Sequence, residues 1–294
     1  MASGVATNRT NIELPASVSS TILQKTQEAS AIMQLAQKID LPGNGVEIPM
    51  ITGDPTATWV SETGLKPVSN PSLSKKVMTA YKLAVIVPFS MEFRRDANAL
   101  YNALVSRLPN ALGYKFDQTV IGAVQTPGNN FDNFASCQAQ DIGTDPFAGF
   151  VAADGDIADN GGIMNGIALA PKGKSIVLGA TDQNKRPLFI DSTAQGGVPS
   201  ILGSSVYVTK GLYKTGDSAD IVGVAGDWTQ AMYGTVEGVK ISISEEATLS
   251  AGTQENPVTI NLFQQNMFAV RAEIELGFRA DTDCFNVLTY TEES

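Results

Sequence analysis

The feature that most constrains this chain is a polar segment at 61–76, SETGLKPVSNPSLSKK, between two strand-like runs at 57–60 and 77–87. The large apolar residues of the segment are Leu65, Val68 and Leu73. Three such side chains cannot build a core, whereas the β-branched and aromatic residues that alternate along the second run are typical of a strand. A lone two-stranded hairpin is only marginally stable in water. We therefore predict an extended hairpin loop at 46–88 that reaches on the order of 30 Å from the body and needs a partner surface.

Apolar residues at a spacing of three to four predict two helices. The first covers 17–39, within an N-terminal arm and helix at 1–45, and a Pro-Gly pair ends it. The second begins after Ser90, whose hydroxyl is suited to capping a helix N-terminus. Its apolar stripe consists of Phe93, Ala97, Leu100, Leu104, Leu108, Leu112, Phe116 and Val120. Because Pro109 lacks an amide hydrogen and clashes with the preceding turn, we expect a kink or a break near Arg107.

The second half of the chain contains two kinds of pattern. Residues 126–234 are a Gly- and Asp-rich mixture of short apolar runs, which indicates a separate mixed α/β unit. Beyond them, residues 239–243 alternate between apolar and polar. The last predicted strand has one apolar face, formed by Phe268, Val270, Ala272, Ile274, Leu276 and Phe278, and one polar face, formed by Arg271, Glu273, Glu275 and Arg279. We expect its apolar face to pack against the stripe of the second helix.

Composition excludes several classes of protein. With 294 residues and 43% hydrophobic content the chain is a folded protein, and its net charge of −10 argues against tight binding of nucleic acid, which depends on Lys and Arg at the phosphates. The N-terminus lacks the apolar region of a signal peptide, and no apolar run reaches the length of a membrane span. Cys137 and Cys284 lie far apart, as expected for free thiols in a reducing compartment. We therefore expect an intracellular protein without a membrane partner.

The chain contains no histidine, which excludes Ser-His-Asp and Cys-His catalysis and the zinc and iron sites that depend on imidazole. Two apparent motifs also fail. The segment that ends in Gly173, Lys174 and Ser175 has Ala168 where a phosphate-binding loop requires glycine. The acidic run that begins at Asp154 lacks the glycine and the final glutamate of a calcium loop. We predict no catalytic, cofactor-binding or metal-binding residues.

The order of these parts resembles the major capsid proteins of tailed bacteriophages, whose fold is shared with encapsulin shells. The resemblance is carried by WVSETGLKP from Trp59, LAVIVPFSMEFRRD from Leu83, KFDQTVIG from Lys115, GDWTQAMYG from Gly226 and NMFAVRAEIELGFR from Asn266. Each motif is loose by itself, but their shared order spans nearly the whole chain.

The resemblance implies an α+β capsid fold with an N-terminal arm, an extended loop, a long spine helix, a peripheral-domain sheet and an inserted axial domain. The expected units are 1–45 for the arm and helix, 46–88 for the extended loop, 89–125 and 235–294 for the peripheral domain with the spine helix, and 126–234 for the axial domain.

The function implied by the resemblance is structural, with no enzymatic activity and no cofactor. Copies would assemble through hexamers and pentamers into the icosahedral head of a tailed bacteriophage, around double-stranded DNA that is not tightly bound. Further expected partners are a portal, a separate scaffold and decoration proteins. The expected location is the virion capsid, after assembly in the cytoplasm of the bacterial host.

The resemblance also implies that the extended loop lies over a neighbouring subunit. The residues expected to make this contact are Ser61, Glu62, Leu65, Lys66, Leu73, Lys75 and Lys76. Some family members join a loop lysine to an asparagine of an adjacent subunit with the help of a glutamate, and Lys66, Asn266 and Glu273 match those positions. In that reaction the glutamate would take the proton of the attacking lysine as a general base. In the alternative interpretation Lys66 is simply exposed, Glu273 pairs on the strand surface, and no bond forms.

Three other functions are considered. An encapsulin compartment would share the fold but enclose enzymes, so its purified particles would contain cargo and no genome. An adhesin or carbohydrate-binding module would suit a Gly- and Ser-rich β protein, but the long helix and the missing signal peptide argue against it. A glycosidase needs only two carboxylates, yet no acidic pair stands out among 30 acidic residues.

Overall fold

The computed structural model describes residues 16–43, 45–51, 57–62, 65, 66, 68, 73–92, 97–182, 184–189, 200–216, 218–252 and 257–291. The helices in this part of the chain are α1 (Ala16–Ala29), α2 (Ala31–Leu35), α3 (Ala97–Val120), α4 (Pro146–Asp159) and α5 (Pro171–Gly179). The strands are β1 (Gln37–Asp40), β2 (Val46–Ile51), β3 (Leu73–Met78), β4 (Tyr81–Ser90), β5 (Gln138–Asp141), β6 (Gly166–Leu169), β7 (Ser200–Ile201), β8 (Ser204–Val208), β9 (Asp220–Gly226), β10 (Ala231–Thr235), β11 (Lys240–Ser244), β12 (Thr248–Gly252), β13 (Pro257–Asn261), β14 (Met267–Ala280) and β15 (Phe285–Tyr290).

The long strand β14 organises a five-stranded sheet. Along one edge it pairs antiparallel with β4, from Met267 opposite Ser90 to Leu276 opposite Tyr81. Along its other edge it pairs with β11 and then with β10, and β10 pairs in parallel with β1. The predicted alternation in β11 is confirmed, since Ile241 and Ile243 are partly buried between exposed neighbours.

Helix α3 packs its apolar stripe against this sheet. Leu108, Leu112, Phe116 and Val120 are all buried. The ring of Phe116 meets that of Phe278 on β14 edge to face, with 6.1 Å between centroids, which confirms the predicted contact between stripe and strand. Of the predicted kink or break near Arg107, the break does not occur, because α3 continues through Pro109. Burial of the stripe on both sides of the proline outweighs its helix penalty of about 3 kcal/mol.

A six-stranded sheet in the order β5-β15-β9-β6-β8-β7 forms the second part of the fold. Helices α4 and α5 contribute Phe150, Ile157 and Val177 to a separate core beneath it. Strand β15 comes from the C-terminal end of the chain, while β10, which precedes residue 235, belongs to the five-stranded sheet. The six-stranded sheet therefore includes a strand from the predicted peripheral range 235–294, and the five-stranded sheet includes a strand from the predicted axial range 126–234.

A hairpin is present, but it is formed by β2 and β3, with Val46 opposite Met78 and Ile51 opposite Leu73, so its first arm is not the predicted run at 57–60. The prediction of a strand at 57–60 is wrong, because these residues are irregular and exposed. They have no cross-strand partner in the described part of the chain, and a strand without a partner leaves its backbone groups to water.

The predicted return strand at 77–87 is divided into β3 and β4 by a break at Thr79 and Ala80. The alternation changes face there, since Met78 is fully buried whereas Val77 is 39% exposed. Gly277 accounts for the change: a Cβ on this glycine would lie 2.8 Å from the side chain of Met78, so only glycine leaves room for it. Beyond the break, Leu83, Val85 and Val87 share one face, as predicted, and pack on the core. Because β4 pairs with β14 in the five-stranded sheet, it is part of the body, and the prediction that residues up to 88 extend away from the body is wrong.

The predicted first helix also differs from the structure. It is interrupted at Ser30 and ends at Leu35, and the residues that follow form β1 instead of a last helical turn. Ser30 restarts the helix because its hydroxyl accepts a hydrogen bond from the amide of Met33. Ser90, predicted to cap the second helix, is the last residue of β4, and its hydroxyl accepts a hydrogen bond from the amide of Glu92. Phe93 lies outside the described residues.

Candidate assembly surfaces

The root of the β2–β3 hairpin is held to the body by an ion-pair cluster around Asp132. Its Oδ1 accepts from Arg279 Nη1 at 2.7 Å, and its Oδ2 accepts from Lys76 Nζ at 3.3 Å and from the amide of Ala280 at 3.2 Å. Arg279 Nε also donates to the carbonyl of Val77 at 2.8 Å. Since the ion pair between Asp132 and Arg279 is largely buried, it fixes the direction in which the hairpin leaves the body.

The prediction that Arg279 lies on the exposed polar face of β14 with Arg271, Glu273 and Glu275 is wrong, because Arg279 is buried. Only 8% of the residue is exposed, and Asn130 also accepts a hydrogen bond from its guanidinium. No local sequence signal identifies this cluster, because the partners are separated by 147 residues along the chain.

The predicted contact residues near the root have different environments. Lys76 is directed inward, and its ammonium also donates to the carbonyl of Ala280 at 2.7 Å. Lys75 stands on the exposed side of β3 and pairs with Glu47 of β2 at 3.0 Å. Leu73 lies opposite Ile51 at the far end of the hairpin. Of these three residues, Lys76 therefore anchors the loop within its own subunit.

The distal part of the loop is exposed and rich in large apolar side chains. Trp59, Leu65 and Val68 are almost fully exposed, and the predicted contact residues Ser61, Glu62 and Lys66 are exposed beside them. Each large apolar side chain that leaves water on binding contributes about 1.5–3 kcal/mol. A group of such side chains that its own subunit leaves in water is typical of an interaction surface.

A second exposed hairpin, β12–β13, was not predicted from the sequence. Its two strands pair from Thr248 opposite Asn261 to Gly252 opposite Pro257, and they form a sheet of their own within the described part of the chain. Val258 and the nearby Phe263 are more than half exposed. The signal that could have revealed it is the alternation of apolar and polar residues in VTIN, followed by an aromatic residue in a turn.

Two of the three residues proposed for a crosslink, Asn266 and Glu273, lie far apart within one subunit. Asn266 is an exposed turn residue with φ of 53°, and its carbonyl accepts from the amide of Met91 at 3.0 Å. Glu273 lies seven residues further along β14, or about 23 Å in an extended strand. It pairs with Arg271 Nε at 3.2 Å, as the alternative interpretation expects. A reaction of Lys66 with Asn266 assisted by Glu273 would therefore need side chains from different subunits.

Two further observations concern the described residues. No helix among them is both long enough and apolar enough to cross a membrane. Likewise, these residues contain no group of three or more acidic or cysteine side chains arranged to hold a metal ion.

The fold, a long helix on a five-stranded sheet beside an extended hairpin, is a capsid fold of the α+β class. A solved chain from Microbacterium phage Oxtober96 matches with a TM-score of 0.67 at 24% identity, over 88% of this chain and 90% of that one. The capsid of an empty GTA particle matches with a TM-score of 0.60 at 13% identity, over 90% of both chains.

Sequence comparison identifies the family. The profile of the Phage capsid family matches residues 12–282, and the chain belongs to this family. The probable major capsid protein gp17 of Mycobacterium phage L5 is 30% identical over 281 residues, which cover 90% of this chain and 85% of that protein. This match confirms the resemblance inferred from the order of the motifs.

Proposed function

We propose that this chain is the major capsid protein of a tailed bacteriophage and that its copies assemble through hexamers and pentamers into the icosahedral head. Family membership over residues 12–282 implies a structural role and supports this proposal, as do relatives named major capsid proteins. The observation that carries the mechanism is the extended loop, whose root is fixed by Asp132 while its distal apolar residues remain in water.

The loop acts by reaching across a subunit boundary. The buried ion pair at the root sets the direction of the loop. Trp59, Leu65 and Val68 are then buried against a neighbouring copy and lose their contact with water. The exposed β12–β13 hairpin, with Val258 and Phe263, offers a second contact of the same kind. Each contact is modest, but a closed shell repeats it many times, so their combined strength exceeds that of any single interface.

The two sheets correspond to two functional units. The five-stranded sheet and α3 form the peripheral unit with the spine helix, and the six-stranded sheet with α4 and α5 forms the axial unit around which hexamers and pentamers close. In this proposal the axial unit includes β15, which adds the C-terminal strand to the predicted range 126–234.

The remaining partners follow from this role. The net charge of −10 disfavours tight contact with phosphates, so packaged double-stranded DNA is enclosed without being held. Strong binding of DNA by the empty shell at moderate salt would contradict this part of the proposal. A portal, a separate scaffold and decoration proteins complete the head, which is assembled in the cytoplasm of the bacterial host and becomes the virion capsid. The protein performs no catalysis and takes no cofactor.

Covalent closure through Lys66, Asn266 and Glu273 is the finer version of the proposal. The amine of Lys66 would displace ammonia from the amide of Asn266, with Glu273 accepting the proton of the attacking amine. The pairing of Glu273 with Arg271 favours shells without this bond. Denaturing gels of mature particles decide between the two versions, since a single band near 31.0 kDa excludes the crosslink and a ladder of multiples requires it.

The experiment that tests the function replaces Trp59 by alanine. Wild-type protein should form closed shells of uniform size in electron micrographs, whereas Trp59→Ala should remain largely as free subunits or capsomers. The stability of the isolated subunit should not change, since Trp59 is fully exposed there. Trp59→Phe keeps an aromatic side chain and should restore shells. Normal shells from Trp59→Ala would contradict the role of the loop, and purified particles that hold enzymes in place of a genome would favour the encapsulin alternative.

A further inference from the structure

Asp117 lies on the inner side of α3, where three parts of the fold meet. Its side chain is fully buried. On one side it faces the junction of α1 and α2, and on the other it faces a short 3-10 helix, Lys210–Leu212, in the connection between β8 and β9 of the six-stranded sheet. Gly211 in that helix approaches so closely that a Cβ there would lie 2.7 Å from the Cβ of Asp117. The carboxyl group is therefore enclosed by elements from both sheets and from the N-terminal helices.

The two oxygens of Asp117 bind the point at which the N-terminal helix restarts. The hydroxyl of Ser30 donates to Oδ1 at 2.5 Å, and the amide of Ala31 donates to Oδ2 at 3.2 Å. The same hydroxyl of Ser30 accepts from the amide of Met33. Nearby, the hydroxyl of Thr209 donates to the carbonyl of Ala29 at 3.3 Å. These contacts connect α1 and α2 to the spine helix and to the second sheet.

Among the described residues, the groups that interact with this carboxyl are all uncharged. They are the hydroxyls of Ser30 and Thr209 and the amides of Ala31 and Ile32. The charged residues on the elements packed around it are exposed, namely Lys25, Glu28, Lys115 and Lys210, while Tyr114 is half-buried. A buried carboxyl without a cation favours its neutral form. Burial raises the pKa of Asp117 from its ordinary value of 3.8 to about 7, against the opposing effect of these hydrogen bonds.

We propose that the carboxyl group of Asp117 is a proton-controlled latch that sets how tightly α1 and α2 are held against α3 and the six-stranded sheet. In the neutral form its O–H donates to Ser30, and its other oxygen accepts from Ala31, so both contacts are kept without a buried charge. In the ionised form the released proton goes to solvent and a carboxylate remains buried without a cation. The ionised form therefore weakens the junction.

The direction of the pH effect follows from the raised pKa. When the junction opens, Asp117 returns to its ordinary pKa, so the stabilisation is fully present below pH about 4 and is lost as the pH rises to about 7. In that interval the opening equilibrium grows roughly tenfold per pH unit, and above it the equilibrium is constant. The latch does not depend on the proposed function, since it concerns contacts within one subunit.

Hydrogen exchange measured by mass spectrometry tests the proposal on the full-length protein and on Asp117→Asn, between about pH 5 and pH 9. Asparagine mimics the neutral acid because its amide donates to Ser30 and its oxygen accepts from Ala31. Comparison at equal pH cancels the intrinsic pH dependence of exchange. At pH 5 the wild type should already exchange peptides that cover α1 and α2 on the order of tenfold faster than the variant, and this factor should grow until about pH 7 and then stay constant. A ratio that does not change with pH would overturn the proposal.

The matched control is Asp154→Asn, which removes the same charge from the exposed side of α4. Its exchange should depend on pH as that of the wild type does. The latch is supported when Asp154→Asn keeps this dependence and Asp117→Asn loses it. Infrared spectroscopy of the wild type gives a second measurement that does not need a folded variant. With aspartate isotopically labelled, a protonated carboxyl band should persist near pH 6, where an exposed aspartate is ionised. Absence of this band would also overturn the proposal.

Discussion

Replacement of Asp132 by asparagine should release the root of the extended loop from the body of the subunit. Asp132 is the shared acceptor for Arg279, Lys76 and the amide of Ala280. Asparagine has the same shape, but it lacks the charge and can direct N–H donors towards two cations. Removal of one partner from a buried ion pair destabilises a protein by about 3–5 kcal/mol. Because 10% of the Arg279 side chain and 18% of the Asp132 side chain remain exposed, we expect the lower end, about 3 kcal/mol.

The assay is denaturant unfolding of the isolated subunit, combined with hydrogen exchange of β3, which should lose protection in Asp132→Asn. The control is Glu47→Gln, which breaks the Lys75–Glu47 pair in the same hairpin. That pair is 71% and 62% exposed, so its loss should change the free energy of unfolding by less than about 1 kcal/mol. A double variant with Arg279→Met should lose less stability than the sum of its single variants. An Asp132→Asn variant as stable as Glu47→Gln would refute the anchoring role of the cluster.

Two further predictions use the contrast between buried and exposed side chains. Leu112→Ala should lower the free energy of unfolding by about 2–5 kcal/mol, because Leu112 is buried. Leu65→Ala should leave the free energy of unfolding within about 0.5 kcal/mol of the wild type and weaken only assembly. Equal losses of the two variants in denaturant unfolding would contradict this assignment. Burial raises the pKa of Cys137 to about 12 and that of Cys284 to about 11. Both thiols should therefore resist iodoacetamide at pH 8 in the native protein and react with it after unfolding. Rapid labelling of the native protein, detected by mass spectrometry, would contradict the placement of both cysteines.

The sequence predicted the parts of the fold that depend on regular periodicity. The apolar faces of β4 and β14 and the stripe of α3 were recognised because each repeats its apolar residues at the period of its own structure, although β4 was assigned to the extended arm and not to the core. Their relation in space was also predicted, since a strand with one apolar face needs a matching partner, and Phe116 indeed meets Phe278.

The errors occur where a tertiary contact overrides the local pattern. The alternation across Thr79 gives no sign that the strand changes face, because the space for Met78 depends on Gly277, which is distant in the sequence. The break of the first helix at Ser30 depends on Asp117, which accepts from both Ser30 and Ala31. Neither contact can be predicted from the local sequence, because its two partners are far apart along the chain.

The candidate contact residues show the same limit. Composition alone identified 61–76 as a segment without a core, and residues 61, 62, 65, 66, 68 and 75 are exposed as expected, whereas Lys76 is not. The sequence could not separate Lys76, which holds the root, from Lys75, which faces solvent, because the two lysines are adjacent and chemically identical. Only the position of Asp132 distinguishes their roles.

A reconstruction of assembled particles by electron cryomicroscopy tests most directly whether the extended loop joins one subunit to the next. We predict closed shells in which the distal part of each loop, including Trp59, Leu65 and Val68, lies on a neighbouring copy, with Trp59 and Leu65 removed from solvent at that contact. The Asp132 cluster should remain within each subunit, at the root of the loop. Shells in which the loop folds back onto its own subunit, with both side chains still exposed to solvent, would contradict this prediction.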